Sequence, residues 1–311
     1  MQFRQLGNSG LKVSEVGLGC NNFGGRCNLD RSKEVVFAAL DAGITFFDTA
    51  DIYGNLGGSE TYLGEILKSR RDEVILATKF GMSMNDGETA RGSRRYIIKA
   101  LDASLRRLQT DFVDLYQFHE PDPFTPLEET LSTLNDMVRA GKVRYIGSSN
   151  FYGWQIASAN HIAAEHGYER FVSAQNLYSL LEREVEEEVI PASLHFKIGL
   201  LPFYPLAAGL LTGKFKRNAP PLPGTRLATR PQVVEGANFD LLEALETVAK
   251  NDGVTLLDIA FGWLLHNDIV SSVIAGATSA EQVVANANTN NYVMSNSTYL
   301  QILEILEKND A

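Results

Sequence analysis

Cysteine is scarce in this chain. Cys20 and Cys27 are the only two among 311 residues, and their spacing fits no zinc, redox or iron–sulfur pattern. One pair allows no disulfide framework, so a reduced, cytoplasmic setting is expected. Long apolar runs are missing too. The richest, "GLLPFYPLAAGLL", is shorter than the ~20 residues of a membrane-spanning helix and is broken by Pro202 and Pro205. The opening "MQFRQLGNSG" holds no apolar core of leader length, so a soluble, unexported protein is expected. Positive charge is in deficit: 28 Lys and Arg against 38 Asp and Glu leave a net charge of −10. That balance argues against nucleic acid and against anionic membranes as partners. The rest is ordinary globular composition, 44% hydrophobic and 21% charged. No low-complexity tract or compositional break divides the chain, so 1–311 is read as one domain.

Short β-rich runs alternate with stretches of helical period. Strand candidates lie near Gly17, Ile44, Val74, Phe112, Val143, Phe171, Gly199 and Val270, and six of the seven steps span 27 to 38 residues. Between them fall amphipathic segments such as "DRSKEVVFAALDAG", "SETYLGEILKS" and "SRRYIIKALDASLRRL". Crossovers of this length join parallel strands, and eight βα units close a barrel. The expected fold is therefore an α/β (β/α)8 TIM barrel. A doubly wound sheet is the competitor, but it rarely runs to eight such regular units. Ahead of the first unit, a hairpin around Gly7, Asn8 and Gly10 is expected to plug the barrel floor. The last step, 71 residues, contains "KFKRNAPPLPGTRLATRP", too long for a plain connection and read as a lid or a disordered segment. "SNSTYLQILEILEKN" reads as a terminal helix capped by Ser295 or Ser297.

Chemistry in such a barrel sits where strands leave its C-terminal face. The exits are Asp48, Lys79, His119, Ser149 with Asn150, Gln175, the pair Phe203 and Tyr204, and Gly276. Singly, each has a structural explanation: a turn cap, a solvated lysine, a bonded core histidine. Gathered at one rim, they read as a site. Tyr53 follows Asp48 by five residues. A phenol titrates near ~10, an adjacent ammonium lowers that value, and a carboxylate holds the ammonium. Tyr53, Lys79 and Asp48 suit that chain, and a neutral His119 suits a carbonyl oxygen. No side chain donates hydride, so a nicotinamide or flavin is required. Ser149, Asn150 and Gln175 offer partners for a carboxamide, and Phe203 a face for its ring.

The stretches "LGNSGLKVSEVGLGCNNFGG", "GITFFDTADIYGNLGGSE", "ILATKFG", "DLYQFHEPD", "GKVRYIGSSNF", "PFYPLAAGLLTGK" and "VIAGATSAEQVVAN", taken in order, resemble the aldo-keto reductase superfamily over nearly the whole chain. The resemblance implies a catalytic tetrad of Asp48, Tyr53, Lys79 and His119 with the tyrosine as general acid. It implies that Ser149, Asn150 and Gln175 hold the nicotinamide amide and that Phe203 stacks on the ring. Tyr204 falls where serine is common in the family. Leu206, Lys214 and Arg226 align with the loop over the phosphates, and Gly276, Thr278, Gln282 and Asn286 with the adenosine end. Where many relatives carry Lys and Arg for a 2′-phosphate, this chain has Gly276 and Gln282; the loop arginine Arg226 takes that role in other branches. The implied cofactor is NADP(H), with NAD(H) open, and the implied reaction is reduction of a small-molecule aldehyde or ketone. The alternative is a cofactor-retaining redox sensor, which potassium-channel β subunits of the superfamily resemble. Neither the carbonyl compound nor the oligomeric state can be read from the sequence.

Other features weigh less. Glu120 and Asp122 beside His119 suggest a divalent metal, but Lys79 would stand among the ligands, so no metal is expected. His161, His166, His195 and His266 read as solvated or capping, and "EREVEEEV" as a solvated helix face. Gly17, Gly19 and Gly24 lack the dinucleotide fingerprint and give close backbone approach at the rim, Gly19 next to the cofactor. Phe23, Phe80, Met82, Met84 and Trp154 suggest a partly apolar mouth.

Overall fold

Strand β1 (Phe3–Gln5) and strand β2 (Lys12–Ser14) form the antiparallel hairpin. Its turn needs glycine at position 7, where φ is +55° and a Cβ would lie 2.5 Å from the Val172 carbonyl oxygen. The hairpin covers the floor as expected. The Asn8 N–H donates to the Lys197 carbonyl at 2.8 Å. Leu6 and Val13 pack with Phe46, Ala77, Leu115, Leu201 and Ile274 from inside the barrel.

The computed structural model describes residues 1–309. Its barrel strands are β3 (Val16–Gly19), β4 (Phe46–Asp48), β5 (Ile75–Phe80), β6 (Val113–Phe118), β7 (Val143–Ser149), β8 (Phe171–Gln175), β9 (Gly199–Leu200) and β10 (Val273–Gly276). All are parallel, in the order β10-β3-β4-β5-β6-β7-β8-β9. Leu200 bridges to Val270 and Phe203 to Ile274, so the curled sheet meets its own far edge. The eight expected strands are these eight.

The helices are α1 (Leu29–Asp41), α2 (Tyr53–Leu67), α3 (Arg94–Leu108), α4 (Leu127–Arg139), α5 (Gly153–His166), α6 (Val189–Phe196), α7 (Pro231–Glu235), α8 (Phe239–Asn251), α9 (Leu256–Leu265), α10 (Ala280–Asn288) and α11 (Asn296–Asn309). Their starts follow local chemistry. Asn28 Oδ1 accepts the Arg31 N–H ahead of α1, and Thr255 and Asp258 form a reciprocal capping box on α9. Ser295 Oγ accepts the Thr298 N–H, which makes Ser295 the cap of α11. The long step between β9 and β10 holds α7, α8 and α9. The start of its loop is held against α8 by ion pairs, Lys216 with Glu246 at 2.6 Å and Arg217 with Asp240 and Glu243. The run "EREVEEEV" is more than a solvated face. Val185 is buried, and Glu186 accepts from Tyr178 Oη at 2.9 Å and pairs with Arg183. Among the described residues, no helix is long and apolar enough to cross a membrane.

Inside the barrel, residues two apart on a strand face the same way. Phe46, Ala77 and Leu115 belong to the apolar floor. Two positions on stand Asp48, Lys79 and Gln117, where the interior turns polar.

Candidate active site

Each polar residue follows an apolar run that burial forces into the barrel, so the strand ends carry them inward. Lys79 is fully buried, and its ammonium donates to Asp48 Oδ2 at 2.6 Å and to the Thr49 carbonyl at 3.0 Å. Asp48 Oδ1 accepts from Gln117 Nε2 at 3.1 Å and from Gln175 Nε2 at 3.0 Å. The carboxylate is thus satisfied on both oxygens, which a buried charge requires. Burial works against the Lys79 ammonium, but Asp48 and Tyr53 outweigh it and hold the lysine above its ordinary value. It stays charged.

Tyr53 opens α2 and lies over this pair, its ring centroid 5.1 Å from Lys79 Nζ. Its phenol does not come down as expected. Burial pushes it above the ordinary tyrosine value, Lys79 draws it back in part, and Asp48 pushes it up again. The expected lowering by Lys79 is present, but desolvation is the larger effect. His119 meets the Tyr53 ring edge-on, centroids 5.7 Å apart at 82°. Burial, then Lys79, holds its imidazole well below the ordinary range, so it is neutral. Its Nδ1 is buried without a hydrogen-bond partner among the described residues.

The remaining candidates divide into groups. Ser149 is buried, and Asn150 donates from its amide to Ser149 Oγ and to the His119 carbonyl, which ties the β7 exit to the tetrad. Phe203 and Tyr204 form an edge-to-face pair, and the Arg226 guanidinium lies 5.1 Å from the Tyr204 ring. Arg226 also donates to Asn22 Oδ1, while Asn22 Nδ2 donates to the Ala277 carbonyl. The loop bearing Arg226 therefore links the neighbouring exits of β9, β10 and β3. Leu206 is half-buried against the core. Lys214 is exposed, and its side chain makes no hydrogen bond among the described residues. At the far end Gln282 Oε1 accepts from both the N–H and the hydroxyl of Thr278, and Asn286 is buried nearby on α10. Gly19 and Gly276 lie side by side in register.

Two expectations fail. Phe23 and Phe80 do not line the mouth; both are fully buried. Phe80 follows Lys79, so alternation turns it outward, where it stacks on Tyr116 and Phe118 at 4.7 and 4.9 Å. Sequence reading also missed Gln117, two residues before His119 and readable from that same alternation, and Asn22, which carried no signal. Asp122, weighed as a metal ligand, organises its own loop by accepting from Gly92 N–H, Phe124 N–H and Thr125 Oγ1.

A polar cluster at the C-terminal mouth of a parallel eight-stranded barrel, with a tyrosine, a lysine, a carboxylate and a histidine in mutual contact, is the architecture of a barrel oxidoreductase. The sequence profile of the aldo/keto reductase family matches residues 15–307, and the chain belongs to that family. It is 40% identical over 295 residues to an uncharacterized oxidoreductase, YrpG, of Bacillus subtilis (strain 168), covering 91% of this chain and 89% of that one. It is 35% identical to the L-glyceraldehyde 3-phosphate reductase of Escherichia coli (strain K12), covering 97% and 91%. It is likewise 35% identical to a putative voltage-gated potassium channel subunit beta of Schizosaccharomyces pombe (strain 972 / ATCC 24843), covering 94% and 88%.

Proposed function

We propose that this oxidoreductase reduces an aldehyde or ketone to an alcohol, with NADPH as reductant and Tyr53 as the acid that delivers the proton. The observation that carries the reading is the buried Lys79–Asp48 pair at 2.6 Å beneath the Tyr53 phenol. A charged ammonium there favours the phenolate left behind when the proton goes to the carbonyl oxygen. The neutral imidazole of His119 offers that oxygen a hydrogen bond, so the electrophile is oriented without a second positive charge. Gln117 and Gln175 keep Asp48 fixed and thereby fix Lys79.

A nicotinamide dinucleotide supplies the hydride when bound. The residues fit one. Ser149, Asn150 and Gln175 would hold its carboxamide and Phe203 its ring, with Tyr204 beside it. Leu206, Lys214 and Arg226 would reach its phosphates. Gly19, Gly276, Thr278, Gln282 and Asn286 would take the adenosine end, where Ser279 caps α10 and a side chain on Gly276 would crowd Asn21 and Asn22 at 3.3 Å. Arg226 is the basis for preferring NADPH to NADH.

Tyr53→Phe tests the assignment. It should bind NADPH as tightly as the parent, by fluorescence quenching, and lose about 10²- to 10⁴-fold in turnover. Parent-like turnover would mean another acid. The second reading, a redox sensor, draws on the channel-subunit relatives. Repeated turnover with exchanging cofactor favours the reductase; a single stoichiometric oxidation of retained cofactor favours the sensor. A panel of aldehydes and ketones followed by NADPH absorbance would define the substrate class.

A further inference from the structure

The residues that follow Tyr53 run through four positive φ angles: Gly54 at 70°, Asn55 at 60°, Leu56 at 67° and Gly57 at 112°. Left-handed backbone costs roughly 1–2 kcal/mol for each residue that carries a Cβ. Such a turn persists only where its surroundings over-determine it. Three contacts do so here. The Asn55 amide donates to the Gly24 carbonyl at 3.2 Å. Gly54 backs onto residues 23–24 so closely that a Cβ would lie 2.3 Å from the Phe23 carbonyl oxygen. Gly57 rests on the Arg107 side chain, where a Cβ would lie 2.6 Å from Cδ and Nε.

Arg107 reaches across from α3, and its Nε donates to Glu60 Oε2 at 2.7 Å. Glu60 is fully buried, and its other oxygen accepts from Thr78 Oγ1 at 2.5 Å. Thr78 directly precedes Lys79 on β5. One ion pair therefore touches the turn that bears the candidate acid and the strand that bears its ammonium partner. Stability alone is a weak reason for such a pair, since hydrocarbon of similar volume often serves as well.

We infer that Arg107 and Glu60 are positioning residues: together they clamp the left-handed turn so that the Tyr53 ring stays over Lys79. The clamp stands on these contacts alone, whereas its catalytic consequence rests on Tyr53 being the acid. The test compares Arg107→Met, Arg107→Lys and the double variant Arg107→Met/Glu60→Met in the full chain. Hydrogen exchange of segment 52–60, the NADPH Kd, the melting temperature and kcat with an aromatic aldehyde are read for each. In Arg107→Met, exchange of 52–60 should quicken about tenfold more than that of other barrel segments. Its kcat should fall about 10- to 100-fold with NADPH Kd unchanged, and Arg107→Lys should recover most of that loss. The double variant should melt as the parent does yet stay slow, which a merely structural pair would not produce. Unchanged exchange in Arg107→Met overturns the clamp. Faster exchange with parent-like kcat overturns the positioning role. If the parent itself reduces no carbonyl, the exchange result still decides the clamp, and the fault lies with the functional reading.

Discussion

The two halves of the barrel interior lie two residues apart on the same strands, yet they obey different rules. The floor, under the hairpin, is hydrocarbon: Leu6, Val13, Phe46, Ala77, Leu115, Leu201 and Ile274. The mouth is a closed polar network in which Asp48, Lys79, Gln117 and Gln175 satisfy one another. Floor residues contribute independently through the area they bury and the space they fill. Mouth residues contribute only as a set, because removing one leaves another buried and unpaired. The first half is built for burial, and the second gathers the polar groups to which the proposed chemistry belongs.

The sharpest way to break this division is Lys79→Met. It strands the Asp48 carboxylate without a cation, so urea denaturation should register a loss of about 3–5 kcal/mol. Turnover should fall by at least ~10²-fold. Phe46→Ala tests the other half. A floor cavity should cost about 3–5 kcal/mol in the same assay, while the folded fraction keeps the parent kcat.

A third variant addresses a carboxyl outside both groups. Asp51 is buried, and neither of its oxygens has a hydrogen-bond partner among the described residues. Burial and then Glu60 push its pKa up to about 8, against the pull of Arg107 and Lys79. The folded value lies above the unfolded one, near ~4, so from there upward the native chain keeps a proton that the unfolded chain has released. Stability is therefore fully present below that unfolded value and is lost as pH rises through about 8. Asp51→Asn should consequently stabilise the protein by a few kcal/mol at pH ~9, with a gain that shrinks to nothing near pH ~4. Thermal melts across that range would measure it, and a pH-independent difference would contradict it. The smallest effect belongs to Gln117→Met. It removes one of two donors to Asp48 Oδ1 and should cost about 1 kcal/mol, with less than a tenfold change in kcat.

Legibility followed the same line. Asp48, Lys79, His119 and Gln175 were readable because each interrupts or ends an apolar run, and such runs are the periodic signal of a buried strand. Gln117 was overlooked inside "FVDLYQFH", although alternation from His119 puts both on one face. The same rule turns Phe80 away from the mouth that its neighbour Lys79 enters. Nothing in "SETYLGEILKS" or "SRRYIIKALDASLRRL" says that Glu60 is fully buried or that Arg107 lies on Gly57. The path of Arg226 across to Asn22 was equally silent, because an irregular loop has no period from which to project a contact.

Sequence alone determined the eight βα units, the hairpin over the floor and which polar side chains stand at the strand ends. These depend on local propensity and on a repeat of two or 3.6 residues, both properties of the chain taken in order. Tertiary structure alone decided that Asp48 is shared by one ammonium and two amides, that desolvation raises the Tyr53 phenol more than Lys79 lowers it, and that Arg107 braces the turn behind it. Those outcomes depend on distances across the barrel and on how much water is excluded, quantities that exist only once remote segments have packed.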